Sequence, residues 1–228
     1  AVEDPVDRRR HAEGLALAGR KDGISVLMTA VNFMDDYDHR RRAVLALGRL
    51  GDPQAMDLLL ELLTDSSSNL RAPAAEAIGH MSTTNRADEI FKTLVELSKG
   101  YYDLAESAMT GLRWFNTPDA WRQIRERAQN GGWWIRDRAA RLLRFNPDQA
   151  NIDMLTRLVR KDDDSDVAGT SAERLRKIFG PDSLETDYIL VTARHNYLDE
   201  QSHTIERLRE HGDPAKILEI LPNIQSQN

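Results

Sequence analysis

The sequence predicts an all-α fold, built as a right-handed superhelical solenoid of about six to seven stacked helical pairs. Three observations predict it. Apolar residues recur at three- and four-residue spacing in short segments, as they do on one face of a helix. Glycine, aspartate and proline separate the clearest of these segments, as is typical of tight turns between helices. The segments then repeat about every 31 to 34 residues, and a fixed period of this size is the signature of a repeat architecture.

The clearest helical pair lies at residues 40–63. Its first helix is predicted to end at Gly51, because a residue just past a helix end often needs a positive φ. Asp52 is predicted to cap the second helix and Pro53 to occupy its first position, where no amide donor is needed. The apolar faces of the two helices comprise Ala43, Val44, Leu47, Leu50, Met56, Leu59, Leu60 and Leu63. Neither helix can bury its face alone, so the pair needs neighbours of the same kind.

A small residue marks the same position in the first helix of successive copies. It stands at Ala43, Ala74, Ala108, Ala139 and Ala172, with spacings of 31, 34, 31 and 33 residues. An alanine here lets the backbones of adjacent first helices approach closely, while larger side chains on either side fill the groove. Stacking of such pairs produces one continuous core.

The other helices are predicted from the same periodicity. Asp4 is expected to cap the first one, and Pro73 is expected in the opening turn of its helix, where proline is tolerated. The predicted ranges are about 5–19, 23–34, 38–50, 53–64, 70–81, 86–99, 101–115, 118–129, 133–145, 148–161, 184–198, 202–210 and 214–221. A weaker sixth copy of the repeat lies around residues 172–180.

The repeated pattern resembles HEAT-like repeats, in the short form first noted in phycobilin lyase subunits. The resemblance depends on the runs R-x-x-A-x-x-A-[LI]-G at residues 40–48 and 71–79, together with the Gly-Asp-Pro turn at 51–53. It covers about residues 5–180. We therefore expect a single HEAT-like domain over residues 1–228, with a degenerate repeat at 184–228.

Arginines share one repeat position, at Arg40, Arg71 and Arg136. The resemblance implies a ladder in which an aspartate of the preceding loop bonds to the arginine of the next repeat, and Asp38 or Asp65 could serve. Charge-assisted hydrogen bonds of this kind would fix the register between repeats.

Composition excludes several classes of function. The 228 residues carry 31 Lys and Arg against 37 Asp and Glu, and the net charge of −6 disfavours generic affinity for nucleic acid or acidic membranes. There is no cysteine, so disulfides and thiolate metal sites are excluded. We expect a cytoplasmic protein. Because the chain begins with alanine and opens directly into a repeat, we also expect it to be a segment of a larger protein.

No motif for nucleophilic catalysis, nucleotide binding or metal binding appears in the sequence. The charged run at 161–166 is interpreted as a solvated loop that caps the helix after it, because no glycine or distal glutamate completes a calcium loop. Neither a cofactor nor a metal ion is therefore expected.

The residues chosen as a binding site lie on the predicted concave face, across repeats three to five. Residues 101–161 carry 11 basic against 7 acidic side chains, and the resemblance implies that second helices line a concave face. The predicted site comprises Trp121, Arg122, Arg125, Arg157 and Arg160. Tryptophan and arginine are enriched in binding hot spots. The predicted function is therefore a non-catalytic scaffold that binds a protein or peptide.

Two enzymatic alternatives remain open, as does a nucleic-acid-binding solenoid without catalytic activity. A tryptophan followed four residues later by a carboxylate, within such a solenoid, is similar to HEAT-like-repeat alkylpurine DNA glycosylases. The resemblance implies that Trp133 and Trp134 hold a cationic base while Asp137 stabilises charge at the sugar. The default interpretation is that the tryptophans are repeat-core residues, which fill the space that alanine and glycine leave. A bilin lyase-like subunit is the other alternative, and it depends on fold analogy alone.

Overall fold

A computed structural model describes residues 4–33, 36–63, 68–100, 102–195 and 198–225. Over these ranges the chain is helical and contains no β-strand, so the all-α prediction is confirmed. The α-helices are α1 (Pro5–Leu17), α2 (Ile24–Phe33), α3 (Tyr37–Leu50), α4 (Met56–Leu62), α5 (Ser68–Gly79), α6 (Ala87–Ser98), α7 (Tyr102–Phe115), α8 (Pro118–Asn130), α9 (Trp133–Leu143), α10 (Gln149–Lys161), α11 (Ser165–Phe179), α12 (Leu184–Leu190), α13 (Leu198–His211) and α14 (Pro214–Gln225).

The chain divides into two compact units, Ala1–Gln123 and Ile124–Asn228, with the division inside α8. The single continuous repeat domain therefore stays a prediction. Among the described residues, no helix combines the length and the apolar character that crossing a bilayer needs.

In the first unit, the first helices of successive pairs pack side by side in the order α1, α3, α5 and α7. The second helices α2, α4 and α6 pack against this layer. Ala43, Ala74 and Ala108, which mark the repeat position, are all fully buried. Helices α3 and α5 approach each other closely at Gly48. A Cβ built on this glycine would lie 2.4 Å from the Cα of Ala77. Small residues therefore set the spacing of the first helices, as the repeat pattern predicts.

The turn between α3 and α4 confirms the predicted punctuation. Gly51 adopts the left-handed conformation at φ 62°, and the side chain of Asp52 accepts a 3.0 Å hydrogen bond from the amide of Gln54. Pro53 begins a 3₁₀ turn that ends at Ala55. The α-helix proper begins only at Met56, three residues later than predicted.

Pro73 does not lie in an opening turn. Helix α5 already begins at Ser68, so Pro73 is the sixth residue of the helix and the prediction for its position is wrong. Asp4 does cap α1, and its carboxylate accepts a 2.8 Å hydrogen bond from the amide of Val6.

In the second unit, α9 packs against α10 and α11, and α12 packs against α10, α11, α13 and α14. The long helix predicted at 184–198 is wrong, since α12 ends at Leu190. The hydroxyl of Thr192 bonds to the carbonyl of Ile189, and the amide of Arg194 donates to the carbonyl of Val159 on α10. These contacts end the helix by tying the following turn to its neighbour.

Candidate interaction site

The predicted binding residues fall in both units, and each is described in its own surroundings. In the first unit, Trp121 is only 2% exposed, and its indole N–H donates to the side-chain oxygen of Asn116 at 2.9 Å. Arg122, one residue on, is exposed and pairs with Asp119 at 2.9 Å. Trp121 is therefore a buried core residue, whereas Arg122 lies on the protein surface.

In the second unit, Arg125 and Arg160 hold neighbouring elements together. Arg125 donates to the side-chain oxygen of the fully buried Asn151 at 2.7 Å. Arg160 donates through Nε to the hydroxyl of Thr192 at 2.8 Å, and burial lowers the pKa of its guanidinium. Both side chains therefore have structural partners elsewhere in the unit, Asn151 on α10 and Thr192 in the turn after α12.

Arg157 is the exposed member of this set in the second unit. It lines a depression of about 210 Å³ together with Gln129, Arg136, Met154, Leu158, Lys161, Asp162 and Asp163. Arg136 is engaged there by ion pairs of 2.7 Å to Asp162 and to Asp163. Binding by the predicted site stays a prediction. Arg157 is the most accessible arginine of that site in the second unit.

A larger depression of about 580 Å³ lies where α9 and α11 begin. It is lined by Trp133, Trp134, Asp137, Arg138, Arg141, Ser165, Asp166, Gly169 and Thr170, and we call it the tryptophan depression. Gly132 starts α9 and Asp164 caps α11 with bonds to the amides of Asp166 and Val167. The two helix starts therefore present both tryptophans on one surface.

The two tryptophans differ in their surroundings. The side chain of Trp133 is 53% exposed. Trp134 is half-buried, and the guanidinium of Arg138 lies over its ring at 5.0 Å from the centroid. This arrangement is a cation–π contact. Trp133 thus offers an open apolar face beside an aromatic ring that is already covered.

Asp137 is buried at the floor of the tryptophan depression, with 6% of the residue exposed. Its carboxylate accepts a 2.9 Å hydrogen bond from Nε of Arg141 and a 2.5 Å hydrogen bond from the hydroxyl of Thr170. These bonds join α9 to α11. The carboxylate is therefore already engaged by the protein itself.

Arg138 and Arg141 were missed by the sequence-based selection of site residues. Their spacing could have revealed them, because Arg138 follows Trp134 by four residues and Arg141 follows Asp137 by four. Side chains four residues apart are neighbours on a helix surface. Thr170 lies 33 residues from Asp137, and no local signal marks it.

An aspartate–arginine pair occurs at Arg136, but the predicted direction of the arginine ladder is wrong there. Arg136 binds the buried Asp162 through two hydrogen bonds of 2.9 and 2.7 Å, and Asp162 follows the arginine by 26 residues rather than preceding it. These bonds raise the pKa of the Arg136 guanidinium. Arg40 donates to the backbone carbonyl of Val31 at 2.7 Å. Asp65 lies outside the described residues.

The aspartates after α10 serve the protein structure. Asp162 accepts a bond from the amide of Asp164, and Asp164 caps α11 as the sequence predicts. No group of three or more potential metal ligands occurs in the part of the chain that the structure describes.

Comparison with known proteins confirms the repeat class. Residues 2–79, which span α1 to α5, match the family model of HEAT repeats. The predicted resemblance to HEAT-like repeats is therefore confirmed. No curated protein sequence matches the chain.

Three solved structures are similar to this chain. The complex of CpcE and CpcF of phycocyanin lyase from Nostoc sp. matches at 18% identity, with 97% of this chain and 89% of that chain covered and a TM-score of 0.46. Human deoxyhypusine hydroxylase matches at 15% identity, with 92% and 82% covered and a TM-score of 0.41. An engineered protein matches at 17% identity, with 91% and 98% covered and a TM-score of 0.42.

Proposed function

We propose that the chain is a non-catalytic protein-interaction scaffold that holds its partner at the tryptophan depression. The observation that carries the proposal is the exposure of Trp133, more than half of whose surface is open beside Trp134 and Arg138. Tryptophan and arginine dominate the binding energy of many interfaces, because they bury a large area and still offer polar contacts.

The shape of the depression supports this proposal. A volume of about 580 Å³ lies within the range of pockets that enclose a small ligand or a side-chain cluster. The hydrogen bonds of Asp137 to Arg141 and Thr170 fix the floor before a partner arrives. A preformed site loses little conformational entropy when it binds.

The test is affinity capture from the source lysate, with Trp133→Ala compared against the wild type. Phe145→Ala is the matched control, because Phe145 is 49% exposed and does not line the depression. We expect a nuclease-resistant protein that the wild type and Phe145→Ala both retain and that Trp133→Ala loses. Equal retention by all three proteins would show that the partner binds elsewhere.

One observation keeps the DNA glycosylase as a second candidate, namely that Trp133, Trp134 and Asp137 line the same depression. The proposal of a scaffold is better supported, because the Asp137 carboxylate is occupied by Arg141 and Thr170. The net charge of −6 also opposes DNA binding, whose affinity depends on phosphate contacts. Release of a base from alkylated DNA, measured on the wild type, would reverse this preference.

A further inference from the structure

A second depression, of about 410 Å³, lies in the first unit on the layer of first helices. It is lined by Glu13, Ala16, Leu17, Arg41, Arg42, Leu45, Ala46, Arg49 and Glu76, which belong to α1, α3 and α5. We call this surface the α3 arginine face, because α3 supplies its three arginines. It is separate from the tryptophan depression, whose residues all belong to the other unit.

The arginines share one side of α3. Arg41, Leu45 and Arg49 follow one another at intervals of four residues, so their side chains are stacked along one helix face. Arg42 lies seven residues before Arg49 and therefore close to the same line. All three arginines are exposed. Three guanidinium groups are thus displayed within about three turns of one helix.

The carboxylates of the lining cancel only part of this charge. Glu13 forms an ion pair with Arg9 of its own helix, and Arg9 is almost fully buried. Glu76 on α5 is the remaining carboxylate of the lining. The α3 arginine face is therefore positive, although the chain as a whole is negative.

Apolar surface lies directly beside these charges. Leu17 is 73% exposed, the largest value for a large hydrophobic side chain among the described residues. Ala16, Leu45 and Ala46 are buried and form the floor. Such a combination accommodates a ligand that carries an apolar side chain next to its negative charges.

An aromatic pair lies near Arg49, at the ends of α5 and α7. The rings of His80 and Trp114 lie 4.0 Å apart between their centroids and are tilted by 42°, and the guanidinium of Arg113 lies 5.1 Å from the Trp114 centroid. Burial and the nearby charges of Arg49 and Arg113 lower the pKa of His80. Trp114 is 43% exposed. A second apolar anchor thus lies beyond Arg49 on the same unit.

We propose that the α3 arginine face binds an acidic segment of a partner protein, in which glutamate or aspartate alternates with large apolar side chains. Exposed arginines bind carboxylates through bidentate, charge-assisted hydrogen bonds. Leu17 and Trp114 take the apolar side chains of the segment. A nucleic acid fits less well, because three arginines offer few phosphate contacts.

The probe is a short fluorescein-labelled peptide of glutamates interrupted by leucines, and its companion replaces every glutamate by glutamine. Binding to the whole chain is followed by fluorescence anisotropy at two salt concentrations. The test variant is Arg41→Gln/Arg42→Gln/Arg49→Gln. The matched control, Arg8→Gln/Lys92→Gln/Lys99→Gln, removes the same charge from exposed positions away from this face.

We expect the glutamate peptide to bind the wild type and the control with affinities within about twofold of each other. The test variant should bind it at least about tenfold more weakly, because it loses three paired charges. Leu17→Ser should weaken binding of both peptides. Trp133→Ala should leave peptide binding unchanged, so failure of the proposed function would not affect this result.

Three outcomes would overturn the proposal. The first is an equal loss in the test variant and its control, which would indicate general electrostatic attraction. The second is undetectable binding of the glutamate peptide to the wild type. The third is tighter binding of a labelled single-stranded oligonucleotide than of the glutamate peptide, which would assign the surface to nucleic acid.

Discussion

The hydroxyl of Tyr37 donates a 3.0 Å hydrogen bond to the backbone carbonyl of Asn69. Inside an α-helix this carbonyl would accept a bond from the amide four residues later, and that residue is Pro73, which has no amide proton. Tyr37 begins α3 and Asn69 lies in the first turn of α5. One repeat thus supplies the donor that the next repeat lacks.

This relationship predicts a coupling between Tyr37 and Pro73. Tyr37→Phe should cost about 0.5 to 1 kcal/mol of the free energy of unfolding, because the carbonyl of Asn69 loses its donor. In a Pro73→Ala background the restored amide serves the carbonyl, so the same change should cost much less. Urea unfolding of the two single variants and the double variant measures the coupling. Equal costs in both backgrounds would contradict it.

The approach of α5 to α7 gives a second prediction. A Cβ built on Gly79 would lie 2.3 Å from the Cα of Gly111, and backbone atoms cannot rotate away as a side chain does. Gly79→Ala should therefore destabilise the protein by about 1 to 3 kcal/mol, because the helices must separate. Gly14→Ala is the control, since a Cβ there meets no atom within 4 Å.

The control should behave in the opposite way. Alanine in place of Gly14, inside α1, should raise stability by about 0.5 to 1 kcal/mol, because it lowers the entropy of the unfolded chain. Thermal unfolding of both variants provides the measurement. If Gly79→Ala also raised the melting temperature, the layer of first helices would be looser than the structure shows.

The bond between Arg136 and Asp162 supplies a third prediction. The Asp162 side chain is 4% exposed and that of Asp163, which also contacts Arg136, is 76% exposed. Asp162→Asn should cost about 2 to 3 kcal/mol, because it leaves a partly buried guanidinium with a weaker partner. Asp163→Asn should cost less than about 1 kcal/mol. Chemical denaturation compares them, and equal costs would show that burial does not govern this contact.

Features determined by neighbouring residues were predictable from the sequence. The positive φ of Gly51 and the cap from Asp52 depend on residues within one turn of the chain. The repeat period likewise identified the buried alanines, because alanine recurs at one position of successive first helices, as at Ala43 and Ala74. The helical pairs and their order could therefore be predicted from local turn residues and from the repeat period.

Features determined by distant residues were not predictable. Trp121 and Trp133 lie 12 residues apart, yet one is 2% exposed and the other 53%, because exposure depends on which helix covers each ring. The end of α12 at Leu190 depends partly on a bond from Arg194 to Val159 of another helix. The arginines of the predicted binding site were selected for their charge. The charge of Arg160 does not reveal that its side chain bonds to Thr192.

Substitution of Asp137 distinguishes the scaffold from the DNA glycosylase, because the two functions require different roles of its carboxylate. Asp137→Asn should cost about 1 to 2 kcal/mol of stability, because Arg141 loses an ionic acceptor while the amide oxygen can still accept from Thr170. The shape of the tryptophan depression should persist, so a scaffold should retain its partner. Asp166→Asn is the control, since Asp166 lines the same depression and is exposed; it should change stability by less than about 0.5 kcal/mol.

Three measurements on these variants decide the matter: urea unfolding, partner capture and base release from alkylated DNA. Reduced stability with capture intact and no base release in any protein would support the scaffold, because the carboxylate then acts only between α9 and α11. Base release by the wild type and by Asp166→Asn, abolished in a fully stable Asp137→Asn, would identify a catalytic carboxylate instead.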